Sequence, residues 1–405
     1  MSTMLELIEE TWFLARELVS DDYDQALARL AREVPMTVHE YPSGTPVWTW
    51  TVPEKWTCHE AYLETLDGRR IIDRADHPLH VVSYSLPFEG IVQREELLDH
   101  LHTHPENPDL IPFVFKYYQR DWGLCLPQSV LDRMDEDRYR VVIRTTFEPG
   151  TLKVGEIVVP GELDESFMLA AHLCHPAMVN DDLTGVVVGL DVMRTLLDGP
   201  TPRYTYRFLI LPETIGSVSY LSHNEDLIPK MVGGLFLEML GNDSGLALQH
   251  SFMPDSQADK ALAAALRGAA PDSYLGPYRT IINNDERQFN APGVRVPMLS
   301  LSRVERPETV ETIYRPYPEY HSSADTPAIV TQERLEAARD SVLDMLAAFD
   351  RNAYVVNHFK GEVFASGHGI WIDYRTNPEG HRNLCLLYTS PSPRDRTRSR
   401  MPSSA

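Results

Sequence analysis

Apolar runs of strand length alternate with amphipathic runs of helix length between residues 167 and 240. In chain order they read FMLAAH, LTGVVVGLDVMRTLL, YRFLIL, IGSVSYLSHNEDLIP and VGGLFLEML. This alternation is typical of a mostly parallel sheet, because parallel strands need long crossover connections that usually form helices. The pattern therefore predicts an α/β fold with a mostly parallel, mixed sheet sandwiched by helices. In such a sheet, functional side chains gather beyond the carboxyl ends of the strands.

Helical periodicity extends the predicted core toward both ends of the chain. An apolar stripe over residues 5–19 predicts a helix, and a second short helix is expected over 22–32. Further on, QADKALAAALRGAA predicts a helix, VRVPMLSLSR predicts a strand, and residues 333–350 predict a closing helix with one apolar face.

A different pattern of residue types between residues 47 and 127 predicts a smaller β-rich inserted subdomain. Segments such as VWTWTVP and LHVVSYSLP combine Trp, Tyr, Val and Pro with polar interruptions, as short strands and turns do. Residues 1–46 and 128–382 would then form the main, catalytic domain. The aromatic stretch over 117–127 could line a cleft or fill the core of the subdomain.

Composition describes a globular protein and limits its partners. The 405 residues are 43% hydrophobic and 24% charged, with a formal net charge of -22. That charge argues against nucleic acid or an anionic membrane as a partner. Four scattered cysteines favour a reducing compartment, and no segment has the length of a membrane span or the pattern of a secretory signal. We therefore predict a cytoplasmic protein and leave its oligomeric state open.

The last 21 residues, 385–405, depart from the rest of the chain. The run CLLYTSPSPRDRTRSRMPSSA has four Arg and one Asp, a charge of 4 - 1 = +3, which leaves -25 for the remainder. Its Ser, Pro and Arg content is typical of disorder. It resembles the translated sequencing-adapter tails that end many environmental reading frames. We expect a non-native, disordered tail and assign it no function.

Side chains that can bind a metal or move a proton follow the apolar runs. His172 follows FMLAA, Asp181 lies in the same loop, Glu213 follows FLILP, Glu238 follows GGLFL, and His321 lies in YPEYHSSADTP. Each has another explanation when taken alone, such as a hydrogen-bonded core histidine, a helix-capping glutamate or a buried ion pair. Their joint position at the functional edge of the predicted sheet favours a site.

The chemistry of this set favours zinc. Nitrogen and oxygen ligands suit Zn²⁺, which makes water acidic near neutral pH. A carboxylate outside the metal shell can take that proton and deliver it to a leaving amine, and Glu213 is the candidate for this base. If two metals bind, Asp181 is the candidate bridge between them.

The ordered motifs AHLCHP, NDDLTG, PETIGS, LEMLG and YHSSADT resemble the zinc-dependent aminopeptidases of the bacterial leucyl aminopeptidase and glutamate carboxypeptidase type. Together with NDERQF and PGVRVP they are closer still to an uncharacterised bacterial aminopeptidase-like family with a β insert and a C-terminal winged helix. The resemblance covers about residues 167–350. It implies a bacterial metallo-aminopeptidase-like hydrolase, a metalloprotease in the broad sense. The roles that it implies are one metal held by His172, Asp181 and Glu238, a second metal shared by Asp181 and His321, Glu213 as base, and Asp325 and Thr326 as supporting residues.

Three departures from that family change the expectation. Cys174 stands where the family has an aspartate that orients the first histidine. Thr214 stands where a second glutamate would bind metal, which weakens the second site, so we expect one tightly bound zinc ion and leave a second open. The winged helix would begin after about Arg382, where the foreign tail starts, so we expect it to be missing.

Several neighbouring residues remain open between two roles. His175 is an alternative to His172 as a metal ligand, and Asn180 and Asp182 are expected to orient the loop. Arg287, in the predicted loop NNDERQF, could hold a substrate carboxylate or belong to a surface salt-bridge cluster.

The sequence thus predicts a zinc-dependent hydrolase that cleaves an amide or peptide bond, with an aminopeptidase as the leading hypothesis. The substrate would be a peptide or a small amide, and one or two zinc ions would serve as cofactor. One alternative is an amide hydrolase or cyclising enzyme that acts on a non-peptide metabolite. The other is a non-catalytic, zinc-stabilised binding protein.

Overall fold

The structure is a computed structural model that describes residues 2–306, 316–352 and 364–382. The chain divides into two units, Met1–Asp350 and Arg351–Ala405. Within the described residues the helices are α1 (Met4–Thr11), α2 (Asp21–Leu30), α3 (Arg94–Leu98), α4 (Gln128–Leu131), α5 (Leu183–Asp198), α6 (Ile215–His223), α7 (Gln257–Ala269), α8 (Glu286–Asn290) and α9 (Gln332–Asp350). The strands are β1 (Thr37–Pro42), β2 (Pro46–Val47), β3 (Trp50–Thr51), β4 (Lys55–Thr65), β5 (Arg70–Asp73), β6 (Phe88–Gln93), β7 (Leu101–His102), β8 (Leu124–Cys125), β9 (Arg138–Glu148), β10 (Thr151–Val159), β11 (Leu163–His172), β12 (Tyr204–Leu211), β13 (Met231–Glu238), β14 (Leu246–Gln249), β15 (Tyr274–Gly276) and β16 (Met298–Arg303).

Eight strands form a mixed central sheet in the order β1-β10-β12-β11-β13-β16-β14-β15. The four middle strands, β12, β11, β13 and β16, run parallel, and antiparallel pairs flank them on either side. The middle of β11 is fully buried, which agrees with its unbroken apolar sequence. Helices α1, α5, α7 and α9 pack in one group and α6 packs with α8. The predicted α/β class is confirmed.

The first helix is shorter than its apolar stripe predicts. It ends at Thr11, and Trp12 is its C-cap. Beyond it the buried guanidinium of Arg16 donates to the carbonyl oxygens of Thr11 and Trp12, at 2.7 and 2.8 Å, and to those of Leu173 and Met178, both at 2.8 Å. Because the side chain of Arg16 binds the last carbonyls of the helix, it provides the cap that periodicity alone does not reveal.

A second sheet has the order β5-β4-β9-β6 and is antiparallel throughout. Its strand β9 (Arg138–Glu148) follows the expected subdomain boundary at residue 127 yet pairs with both β4 and β6. We therefore propose that the β-rich subdomain extends to Glu148. Of the aromatic stretch over 117–127, Trp122 and the residues around β8 are buried, whereas Tyr118 is exposed.

The described part of the second unit contains a short 3-10 helix, Ala365–His368. The predicted foreign tail at 385–405 and the position of the predicted missing winged helix after Arg382 lie outside the described residues. Among the residues that are described, no helix combines the length and apolar character needed to cross a membrane.

Candidate metal centre

His172 is the last residue of β11 and Glu238 the last residue of β13, so both side chains stand at the carboxyl edge of the central sheet. Asp182 connects these two strand ends to the start of α5. One of its carboxylate oxygens accepts from the backbone N–H of Gly185 at 3.0 Å and of Met239 at 2.9 Å, and the other accepts from His172 N–H at 3.3 Å. A Cβ at Gly185 would collide with the carbonyl oxygen of Leu237, which explains the glycine at this close approach.

His172, Asp181 and Glu238 form a first, buried group of ligand atoms. The Nε2 atom of His172 lies 3.3 Å from Asp181 Oδ1 and 3.6 Å from Glu238 Oε1. Ligand atoms bound to a tetrahedral zinc ion at about 2.0–2.1 Å lie roughly 3.3 Å apart, so the spacing suits such an ion. Neither Asp181 Oδ1 nor Glu238 Oε2 has a partner with hydrogen-bond geometry. Buried and unsatisfied oxygens of this kind are what a bound cation would satisfy.

Asn284 belongs to the same group, although sequence reasoning did not single it out. Its side-chain nitrogen donates to Glu238 Oε1 and lies 3.3 Å from His172 Nε2, while its buried Oδ1 has no hydrogen-bond partner. The only signal for it in the sequence was its place in the polar segment NNDERQF. Arg287, from that segment, lies in helix α8 rather than in a loop, and its Nε donates to the carbonyl of Asn284 at 2.9 Å.

A second group lies on the other side of Asp181. Asp181 Oδ2 is 2.9 Å from His321 Nε2 and 3.9 Å from His175 Nε2, and the ligand atoms of these three residues lie within 4.8 Å of one another. Glu213 Oε2 is 3.7 Å from His175 Nε2. The side chains of His321 and Glu213 are 28% and 26% exposed, whereas the first group is closed to solvent. The second group therefore lies where a substrate could reach it.

His175 thus belongs to the second group, with Asp181 and His321, although its place in the sequence left it open as an alternative to His172. Thr214, at the position of the missing glutamate, donates its backbone N–H to Asp285 Oδ1 at 2.8 Å. Cys174 is fully buried, and its sulfur accepts the backbone N–H of Glu213 at 3.0 Å, so the thiol connects the end of β11 to Glu213. Burial raises the pKa of the Cys174 thiol, which keeps it protonated.

Asp325 holds the loop that carries the shared carboxylate. Its oxygens accept the backbone N–H groups of Asn180 at 2.7 Å and of Asp181 at 3.1 Å, and the Tyr317 hydroxyl donates to it at 2.8 Å. Asn180 in turn accepts the backbone N–H of Gly241 through Oδ1 at 2.9 Å. The position of Asp181 is therefore fixed by hydrogen bonds to its own backbone and to its neighbours.

The electrostatics of this edge favour a bound cation. Burial raises the pKa values of five carboxyl groups here: well above the ordinary value for Asp182, to about 6 for Asp285, to about 7 for Glu238 and Asp325, and to about 8 for Glu286. Burial would also raise the pKa of Asp181, but the three histidines around it hold that pKa well below its ordinary value. An acidic, desolvated cluster with imidazole nitrogens is a donor set that fits a divalent metal.

The β-rich subdomain contributes to the same edge. The backbone N–H of Phe113 donates to the carbonyl of His321 at 2.8 Å, and the Phe113 ring lies 5.0 Å from that of His175 and 5.2 Å from that of His321. On the other side the Tyr320 ring stacks on His321 at 3.9 Å. Burial and the nearby Asp181, Glu238 and Glu213 carboxylates raise the pKa of Tyr320 well above its ordinary value, so its phenol keeps its proton.

Known proteins resemble this chain over most of its length. Residues 5–352 match a family model described as "Domain of unknown function (DUF4910)". A relative from Clostridium acetobutylicum is 33% identical over 351 residues, which cover 87% of this chain and 78% of the relative. Its name gives it, provisionally, a role in polysaccharide biosynthesis and an aminopeptidase-like domain.

Solved structures share the fold. A protein from Clostridium acetobutylicum, provisionally named a peptidase, superposes with a TM-score of 0.82 and 29% identity, over 95% of this chain and 93% of its own. A zinc aminopeptidase from Bacillus subtilis superposes with a TM-score of 0.65 and 14% identity, over 86% of this chain and 96% of its own. At 14% identity, the similarity to the Bacillus subtilis enzyme shows a shared fold and no more.

Proposed function

Because this chain belongs to the DUF4910 family and has the fold of the zinc aminopeptidases, we propose that it is a zinc-dependent hydrolase that cleaves a peptide or a related amide bond. An aminopeptidase is the form of this activity that the site supports best. Similar proteins named as a peptidase and as carrying an aminopeptidase-like domain support the broader class of hydrolase.

The observation that carries the proposal is the shared carboxylate of Asp181. One of its oxygens faces His172 in the buried group and the other faces His321 in the accessible group, with Glu213 beside His175. Two ligand groups on one carboxylate, with a further carboxylate close by, match the arrangement of two-metal hydrolases. A binding protein that used zinc only for stability would have no use for a half-buried carboxylate beside the ligand groups.

Each residue then has a defined task. His172, Asp181 and Glu238 would hold one zinc ion, and His175, Asp181 and His321 a second, so that His175 replaces the ligand missing at Thr214. Zinc bound there would supply Lewis acidity toward the scissile carbonyl and make water acidic near neutral pH. Glu213 takes the proton from the attacking water and delivers it to the departing nitrogen. The protonated phenol of Tyr320 can donate a hydrogen bond to the oxyanion as charge develops on it.

The test compares the wild type with Glu213→Gln on a panel of aminoacyl anilides and short peptides under matched zinc. The amide cannot accept the proton, so we expect kcat to fall by roughly 10²–10⁴-fold while the zinc content stays the same. Glu225→Gln, a glutamate that is not among the ligand groups, serves as the control and should retain activity.

Two other outcomes would reject the proposal in different ways. Equal activity of wild type and Glu213→Gln would remove Glu213 from the mechanism. No amine release from any peptide by the folded, zinc-loaded wild type would exclude an aminopeptidase. N-acylated amino sugars belong on the same panel, because their hydrolysis in that case would favour the amide of a non-peptide metabolite.

A further inference from the structure

A cavity of about 360 Å³ opens directly beside Glu213. Its lining includes Glu213, which lies just before α6, Ile215 at the start of α6, Trp50 from β3, and the aromatic side chains of Phe115 and Tyr118. Trp50, Phe115 and Tyr118 are 39%, 46% and 52% exposed. Large aromatic surface left open beside a candidate base is a feature that folding alone does not require.

The aromatic wall is built as a unit and fixed to the metal centre. The Trp50 and Tyr118 rings meet edge to face at 6.0 Å, and the Tyr118 hydroxyl donates to the carbonyl of Thr51 at 2.9 Å. Phe115 stacks on Tyr117 at 4.5 Å and contacts Phe113 at 5.6 Å. Phe113 is the residue whose N–H donates to the carbonyl of His321, so the Phe113, Phe115 and Tyr117 rings begin at the loop of His321, and Tyr118, the next residue in the chain, contacts Trp50.

The lining offers a ligand apolar contact and little free charge. Its cation, Lys116, is engaged by the Asp121 carboxylate and by the carbonyl of Trp122. The remaining charged group is Glu213, which the proposed reaction uses. The cavity therefore selects a substrate group that has apolar or aromatic surface, and it does not favour a substrate group that carries a carboxylate.

The position of Glu213 indicates which part of the substrate enters this cavity. When the amide bond breaks, the water proton moves from Glu213 to the departing nitrogen, and the bond between that nitrogen and the acyl carbon is lost. The atoms attached to the nitrogen must therefore lie beside Glu213. Resting on the proposed function, we infer that this cavity binds the amine-side group of the substrate and selects a large apolar or aromatic one.

The experiment varies the amine side while the acyl residue stays constant. Dipeptide amides of the form Leu-Xaa-NH₂, with Gly, Ala, Leu, Phe, Trp or Asp as the second residue, are compared with zinc-loaded wild type. The wild type should favour Phe and Trp over Gly by at least about 10-fold in kcat/KM, because apolar contacts in a pocket discriminate by roughly that factor or more. Phenylalaninamide should also inhibit competitively at a lower concentration than glycinamide.

Variants connect that preference to the wall. Trp50→Ala and Tyr118→Ala should reduce the Phe-to-Gly ratio at least about 5-fold, whereas Trp50→Phe keeps an aromatic face and should retain most of it. Ile91→Ala removes an exposed apolar side chain on β6 outside the lining and should leave the ratio unchanged. Circular dichroism and zinc content identify any variant that fails to fold.

Each outcome decides the inference. Hydrolysis with no dependence on the second residue would overturn the pocket assignment and leave the proposed function intact. A strong preference that survives in Trp50→Ala and Tyr118→Ala would also overturn the pocket assignment, because another surface would then select the amine-side group of the substrate. No hydrolysis of any member by the folded, zinc-loaded wild type would exclude the aminopeptidase form of the proposed function and, with it, the assignment of the amine side.

Discussion

At the scale of single residues, the proposed two-metal arrangement depends on His175. We expect wild type to bind two zinc ions per chain and His175→Ala to bind one, because the accessible group loses an imidazole while His172, Asp181 and Glu238 keep theirs. Metal content after dialysis against a zinc buffer measures this. His59→Ala, which removes an exposed histidine of β4, is the matched control.

A single zinc ion in both wild type and His175→Ala would contradict the two-metal arrangement and favour a one-zinc enzyme. Loss of both ions in the variant would mean that the two groups do not load independently.

The residues at strand ends were predictable from sequence, because a sheet fixes where its strands finish. His172 and Glu238 end their strands, whereas Asp181 and His321 lie in loops and were recognised through the family motifs NDDLTG and YHSSADT. The structure brings all four to one edge, although their roles stay predictions. His175 and Asn284 could not be assigned in this way. Both lie in loops, where no periodicity indicates the direction of a side chain, and His175 has a φ of 153° that its sequence context does not reveal.

At the scale of elements, a buried carboxylate joins strands β1, β10 and β12 to helix α6. Glu156 accepts from Arg207 and Tyr220, both at 2.7 Å, and lies 2.8 Å from His39 Nε2. Burial would raise its pKa, but these three partners outweigh burial and lower it from 4.5 to about 2. The stabilisation from the ionised group is thus present above about pH 4.5 and is lost as the pH falls toward 2.

The corresponding prediction concerns Glu156→Gln. The difference in free energy of unfolding between wild type and variant should be about 3 kcal/mol at pH 7 and should shrink steadily below pH 4.5. Urea unfolding at several pH values measures it. Glu148→Gln, on the exposed end of β9, should show no comparable difference, and a gap that stays constant down to pH 3 would contradict the assigned pKa.

The elements themselves were largely predictable, and their boundaries were less so. The α/β alternation over residues 167–240 reproduces the strands and helices observed there, because buried parallel strands and amphipathic helices have distinct apolar patterns. The early end of α1 was not visible, since it depends on Arg16, which binds the last carbonyls from four residues or more away. The partners of strand β9, which are β4 and β6, are distant from it in sequence, so the sheet to which β9 belongs was not predictable.

At the scale of the whole molecule, all the residues of the metal centre lie between residues 172 and 325, inside the first unit. The family match also ends at residue 352. We therefore expect a chain that stops after Asn352 to keep its zinc content and its hydrolytic rate. Its melting temperature should lie within roughly 4 °C of that of the full chain, because a change of about 1 kcal/mol in the free energy of unfolding produces a shift of that size. Differential scanning calorimetry and metal analysis test this.

Loss of zinc or of folding in that shortened chain would show that the second unit supports the first. A shortened chain that keeps zinc but loses activity would instead give the second unit a part in catalysis.

The backbone between Ile111 and Phe113 pairs with the ligand loop around His321. The N–H of Ser323 donates to the carbonyl of Ile111 at 2.9 Å, the N–H of Phe113 donates to that of His321 at 2.8 Å, and Pro112 bridges Ser322. Anyone who recombines this protein with a relative therefore cannot exchange the β-rich subdomain by itself. We expect a chimera to need both segments from the same parent, because a mismatched pair would disturb the hydrogen bonds that position His321, a candidate ligand, through residues more than 200 positions away.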